Sequence, residues 1–139
     1  MKIRKMARAD LPALARMNFT LFRDISIKQA LRVFKHSLSN RVDGACLVAE
    51  EGEAPVGAIF CEKRLTQYAN SAYIAAFFVS KEQQGRGVGK ALFSACLSAM
   101  KKKGITNASL TVSEKNKRAR SLYKKAGFKP FRLMLLRRF

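Results

Sequence analysis

Three glycines stand at alternate positions, Gly85, Gly87 and Gly89, in the run Gln84-Gly85-Arg86-Gly87-Val88-Gly89-Lys90. Taking away every second side chain lets the backbone approach a bulky anion with its N–H groups turned inward, and a diphosphate is a natural guest for such a cradle. Two familiar phosphate loops are excluded by spacing. G-x-G-x-x-G fails because the third glycine position is Lys90 counted from Gly85 and Leu92 counted from Gly87. G-x-x-x-x-G-K-[ST] ending at Gly89-Lys90 would need a glycine at Gln84 and a hydroxyl residue at Ala91. A dinucleotide-dependent dehydrogenase and a magnesium-nucleotide enzyme are set aside on those grounds. Metal chemistry finds no support either. Cys46, Cys61 and Cys96 are odd in number, widely spaced and set among apolar neighbours, so they read as buried thiols. His36 has no second ligand at metal spacing, so no metal site is expected.

A loop of this kind needs a strand before it and a helix after it, and the chain supplies both. Asn70 to Ser80 is almost wholly apolar after Ser71, as suits a central strand covered on both faces. The helix that the loop opens runs on to about Lys103 and stops before Gly104, with Val88, Ala91, Leu92, Ala95 and Ala99 as its buried side. Upstream, Lys2 to Met6 alternates as a short strand. Asp10 before Leu11-Pro12 is an expected N-cap for a helix from about Leu11 to Asp24. A second helix is expected over Ser26 to Ser39, then a hairpin from Ala45 to Glu50 and Val56 to Arg64 around the turn Glu51-Gly52-Glu53-Ala54-Pro55. Downstream come a strand over Asn107 to Ser113, a helix over Lys115 to Ala126 ended by Gly127, and a closing strand over Phe128 to Phe139. This order describes a mixed α/β sheet with helices on both faces and one β-α-β crossover around the glycine loop. The loop then sits at the C-terminal end of a strand, where the next helix still has unpaired backbone donors.

At 139 residues and 15.6 kDa the chain is expected to form one domain over residues 1–139. Its longest apolar stretch, Ala72 to Val79, is far short of the ~20 residues of a membrane span, and the N-terminus lacks the apolar run of a signal peptide. A cytoplasmic product with no membrane partner is the expectation. Lysine and arginine number 28 against 9 acids, a formal charge of +19. Residues 81–139 carry 16 of those bases with Glu82 and Glu114 as their only acids, so the field is concentrated in the second part of the chain. Such a field attracts polyanions without choosing among nucleic acid, a phosphate-rich cofactor or an acidic surface.

The stretch from Gln84 to Gly89 resembles the Q/R-x-x-G-x-G/A signature of the GNAT superfamily of acyl-CoA N-acyltransferases. Some thirty residues on, Asn116, Ala119, Leu122-Tyr123 and Gly127-Phe128 resemble its second motif, N-x-x-A-x-x-L-Y-x-x-x-G-F. Ile3-Arg4 and Asp10-Leu11-Pro12 are similar to the usual first strand and helix start, so the likeness spans essentially the whole chain. The resemblance implies a mixed, mostly antiparallel sheet of about six to seven strands with about four helices, splayed at its central strands. It implies acetyl-CoA as cofactor, with the diphosphate on the backbone of Gly85, Arg86, Gly87, Val88, Gly89 and Lys90 beside Gln84. The pantetheine arm would run along the main chain of Phe77, Phe78 and Val79, with Asn116 touching it and the Val79 N–H polarising the thioester carbonyl. Tyr123 matches the tyrosine that protonates the departing thiolate, and Asn116, Ala119 and Tyr123, three and four apart, share one helical face.

The implied reaction is direct acetyl transfer to a primary amine, on a small molecule or on a protein. Two positions depart from the pattern. Where some protein N-terminal acetyltransferases carry a glutamate, this chain has Thr111, which leaves Glu62 as the one carboxylate in the central strands to offer as a base. A solvent-facing charge at a strand end is the plainer reading of Glu62. The tail from Phe128 to Phe139 is also short for walling an acceptor site, which leaves that site open or completed by a second subunit through Leu133, Leu135 and Leu136, a homodimer in that case. The competing reading is a basic nucleic-acid- or ribosome-associated module using Lys101-Lys102-Lys103 and the last helix, with a vestigial or regulatory coenzyme A site. It is not favoured, because aromatic residues are sparse in those segments.

Overall fold

The computed structural model describes residues 1–139 as a five-stranded sheet carrying helices on both faces. The strands β1 (Lys2–Lys5), β2 (Leu47–Glu51), β3 (Ala54–Arg64), β4 (Ser71–Val79) and β5 (Asn107–Leu110) lie side by side in chain order. The first four are mutually antiparallel; β5 runs parallel to β4 because a helical crossover separates them. The helices are α1 (Leu11–Phe22), α2 (Ile27–Ser39), α3 (Val88–Lys102) and α4 (Lys117–Lys125).

Strand alternation divides the core in two. On one face Phe60, Phe78, Val48 and Ala58 pack with Leu11, Leu14, Ala30 and Phe34 of α1 and α2, where the Phe34 ring stacks on Phe60 at 4.3 Å. On the other face Ile59, Cys61 and Ile74 pack with Leu92, Phe93, Cys96 and Met100 of α3. A neighbouring pair such as Phe77 and Phe78 therefore points one ring into each half. The three thiols are free and buried as expected, and desolvation pushes Cys46 up to about 11.

Two expectations are corrected. Asp10 does not cap α1 through its side chain; the carboxylate instead accepts the Ala7 N–H at 2.7 Å and a two-pronged contact from Arg4 at 2.8 and 2.9 Å. The chain needs a short 3-10 turn, Arg8–Asp10, to climb from β1 to α1, and this moves the capping geometry upstream. Held by the Arg4 guanidinium, Asp10 titrates below the usual carboxylate range.

The second correction concerns the closing strand over Phe128 to Phe139, which does not form, so the sheet has five strands where six to seven were expected. Pro130 lacks a backbone donor, and Leu133-Met134-Leu135-Leu136 has no apolar-polar alternation to select a buried face. Leu133 and Leu135 stay 87% and 90% exposed, so in this chain they cover nothing.

Candidate functional site

The site begins where the sheet opens. β5 pairs only with Ser71 to Ile74, so beyond Ile74 the strand β4 has β3 on one side and no strand on the other. Ala75 sits at a register shift between the Phe60–Ala76 and Cys61–Ile74 pairs, and the local twist of such a bulge helps turn the two strands apart. The phase of the ladder follows from the Ser80 N–H, which donates to the Val56 carbonyl at 2.8 Å. Antiparallel alternation then aims the backbone of Phe78 at Ala58 and that of Phe77 and Val79 into the opening. Of the three main-chain positions expected along the pantetheine, Phe77 and Val79 face the gap and Phe78 faces β3. The Val79 carbonyl is already taken by the Gln84 side-chain amide at 3.0 Å, which leaves the Val79 N–H as the free group there.

The loop after β4 has the form its glycines suggest. Gly85 and Gly87 take φ of 78° and 83°, in the left-handed region, and Gly87 is the N-cap of α3. The N–H groups of Gly85, Arg86, Gly87, Val88, Gly89 and Lys90 have no hydrogen-bond acceptor within the protein. Gly89 has a different task. A Cβ there would lie 3.5 Å from the Phe77 ring and 3.6 Å from Val79, so its absence lets the first turn of α3 settle onto β4. Gln84 joins the site through Val79 rather than by facing the amide row, a tie that the motif spacing alone does not reveal.

Tyr123 approaches from α4. Its ring lies 5.5 Å from Phe93, which in turn stacks on Phe77 at 5.7 Å, so the tyrosine is one aromatic ring removed from the opening. The Tyr123 hydroxyl makes no hydrogen bond within the protein, and burial raises its pKa above the ordinary tyrosine value. A neutral, unencumbered O–H can give up a proton. Asn116 caps α4, its Oδ1 accepting the Ala119 N–H at 3.1 Å, which spends the oxygen and leaves the amide nitrogen.

Glu62 lies toward the start of β4, and Thr111 directly follows the Ile74–Leu110 pair at which β5 leaves that strand. The Thr111 hydroxyl is 3.2 Å from the Tyr73 hydroxyl, and the Arg64 guanidinium lies 3.6 Å over the Tyr73 ring. Glu62 is not the solvent-facing charge expected. It is 8% exposed, accepting the Ser37 hydroxyl at 2.9 Å and Arg64 at 3.3 Å. Glu62 pairs with Tyr73, six residues before Val79, a run of roughly 20 Å along a strand. Tyr73 was not singled out in the sequence because only the register of β3, β4 and β5 sets it beside Glu62, Arg64 and Thr111. No group of acidic, histidine or cysteine side chains is arranged to hold a metal ion, and no helix is long and apolar enough to cross a membrane.

Comparison with known proteins bears on the family and the fold. The acetyltransferase (GNAT) family profile matches residues 11–128. An uncharacterized N-acetyltransferase of Methanocaldococcus jannaschii is 28% identical over 134 residues, covering 91% of this chain and 59% of its own length. The chain therefore spans somewhat over half of that relative. Among solved structures, Ard1 from Thermoplasma volcanium superposes with a TM-score of 0.76 at 25% identity, covering 92% of this chain and 82% of its own. The aminoglycoside N-acetyltransferase AAC(6')-Iy, solved in complex with CoA, superposes with a TM-score of 0.79 at 19% identity over 99% of this chain and 93% of its own, a likeness of fold.

Proposed function

The chain belongs to the acetyltransferase (GNAT) family, and on that premise we propose that it transfers the acetyl group of acetyl-CoA directly to a primary amine. One observation carries the reading: a half-open strand, β4, runs straight into a row of amide donors without acceptors. The two features suit the two parts of coenzyme A, an amide-rich arm that can pair like an added strand and a diphosphate that needs N–H donors. When bound, acetyl-CoA supplies the activated acyl carbon. The chain's own groups do the rest. Gly85 to Lys90 hold the diphosphate by their main chain, and the outward backbone groups of Phe77 and Val79 align the arm. The Val79 N–H donates to the thioester oxygen, where negative charge grows during attack. Tyr123 holds a proton for the departing thiolate sulfur; a tyrosine is protonated at neutral pH, and burial extends that state to higher pH. Asn116 contributes its amide nitrogen to the arm.

Glu62 does not fit the role of base in this arrangement. With the carbonyl at Val79, a carboxylate six residues back along the strand lies beyond a direct or one-water proton transfer, and it is already engaged by Ser37 and Arg64. The acceptor then arrives as a neutral amine or loses its proton to solvent. Its amine belongs to a small molecule or to a protein, and the basic charge of residues 81–139 favours an acceptor presented on an anionic body.

Acetyl-CoA is expected to raise the melting temperature by several degrees, because a ligand that binds only the folded chain stabilises it. No shift at millimolar coenzyme would refute the proposal. An acceptor screen that follows free-thiol release then identifies the amine class. If the competing nucleic-acid module is the better description, thiol release stays at background with every amine, while RNA is retained in dilute buffer and lost steeply with salt.

A further inference from the structure

The row of amides from Gly85 to Lys90 belongs to β4 and α3, yet a charged group from a third element reaches it. Arg118 lies in the first turn of α4, and its Nη2 comes within 3.9 Å of the point that a Cβ on Gly85 would occupy. Nothing in the protein engages it. Arg120, two residues on, donates to the Glu114 carbonyl at 3.0 Å, whereas Arg118 makes no hydrogen bond and no ion pair. Arg86 and Lys90, which flank the same loop, are without ion-pair partners as well. Two cations on the loop itself and a third whose guanidinium reaches Gly85, none with an ion-pair partner, leave this corner in excess of positive charge.

We propose that Arg118 binds coenzyme by closing its guanidinium onto the diphosphate from the side opposite the amide row. The inference rests on the acetyl-CoA reading above and adds a residue at a position the second motif leaves unspecified, between Asn116 and Ala119. A planar guanidinium can engage phosphate oxygens through two parallel N–H donors, which an ammonium group cannot reproduce. The placement also has a mechanical consequence. No residue of α4 is fully buried, and the helix is held to the core chiefly through Leu122 and Tyr123. A diphosphate gripped by the start of α3 and by Arg118 would fasten α4 in place, and with it the Tyr123 ring.

The test is equilibrium binding of CoA, dephospho-CoA and pantetheine to the wild-type chain and to Arg118→Gln, Arg118→Lys and Lys124→Gln at one low salt concentration. Lys124→Gln removes the same charge from the same helix farther along. Arg118→Gln is expected to weaken CoA and dephospho-CoA by the same factor, about tenfold or more, and to leave pantetheine unchanged. Arg118→Lys should recover part of the loss, and Lys124→Gln should stay within about twofold. Arg118 has no partner to lose, so the melting temperature of its unliganded variants should match the wild type. Undiminished CoA affinity in Arg118→Gln overturns the proposal. So does an equal loss in Lys124→Gln, which would mean a diffuse field. A loss confined to CoA overturns it too, by moving Arg118 to the 3′-phosphate. If the wild-type chain binds neither CoA nor dephospho-CoA, the acetyl-CoA reading itself fails, which is a different result.

Discussion

The role proposed for Tyr123 depends on the surroundings of its side chain. A tyrosine on an apolar helix face is ordinarily core, and here the ring is indeed packed against Phe93 and Phe128. What sets it apart is a hydroxyl with no acceptor in the protein and a pKa raised by desolvation. The sign of that shift fixes a pH dependence. An acid whose folded pKa is raised keeps its proton to higher pH than the free residue, so the reaction should not lose this group below pH ~10, the ordinary tyrosine value. Stability follows the same sign, falling as pH climbs past that value because the unfolded chain releases the proton first. Tyr123→Phe should lower turnover by a factor on the order of a hundred and leave coenzyme affinity within about twofold, and it should abolish any alkaline loss above pH ~10. Unchanged turnover would take Tyr123 out of the reaction. Glu62 is the contrary case. Residue type recommended it as a base, and only the tertiary structure shows that Ser37 and Arg64 hold it far along the strand from Val79.

At the scale of elements, the loop between β4 and α3 was legible because its requirement is local. Gly85 and Gly87 both adopt positive φ, and no other residue reaches that region at so little cost. Gly87→Ala should therefore cost about 1–2 kcal/mol, although nothing lies within 4 Å to clash with the added methyl group. Because the strained residue is also the N-cap of α3, the substitution should weaken coenzyme binding along with the melting temperature. A calorimetric titration and a thermal melt check both. A loss of stability without loss of affinity would show that the loop's shape is not what binds. The helices and the hairpin were equally readable, since their apolar spacing and turn residues act over a few positions. The Phe128 to Phe139 segment was not. A strand exists only through its partner, and the apolar content of that segment said nothing about whether β5 would offer an edge to pair with.

The whole molecule adds a field to these local devices. With +19 overall and most of it after residue 80, the chain presents to a diphosphate a surface that attracts it before any contact forms. Affinity for CoA should accordingly fall as salt rises from about 50 to 500 mM, and the fall should be shallower for pantetheine, which lacks phosphates. Equal salt dependence for the two would mean that the charge serves some other partner. The same field discourages polycationic acceptors unless they come bound to an anionic body. The two halves of the core also act at this scale. Phe77 and Phe78 are neighbours in sequence, yet one belongs to the α3 side and the other to the α1–α2 side, so the strand that carries the opening is gripped from both faces.

The amino-acid sequence by itself determined the order of elements as far as the last helix, the glycine loop of Gly85 to Lys90, the family likeness through Asn116 to Phe128, and the uneven charge. Each of these depends on residues within a turn or two of one another, or on plain counting, so no folding was needed to read them. The tertiary structure alone decided that β5 leaves β4 after Ile74, that the Phe77 and Val79 backbones face the gap while Phe78 does not, that Glu62 is buried and engaged, and that Arg118 overhangs Gly85. Those outcomes are set by strand register and by the packing of helices on opposite faces, which join residues tens of positions apart. A one-residue change in register would reverse them while leaving every local pattern intact.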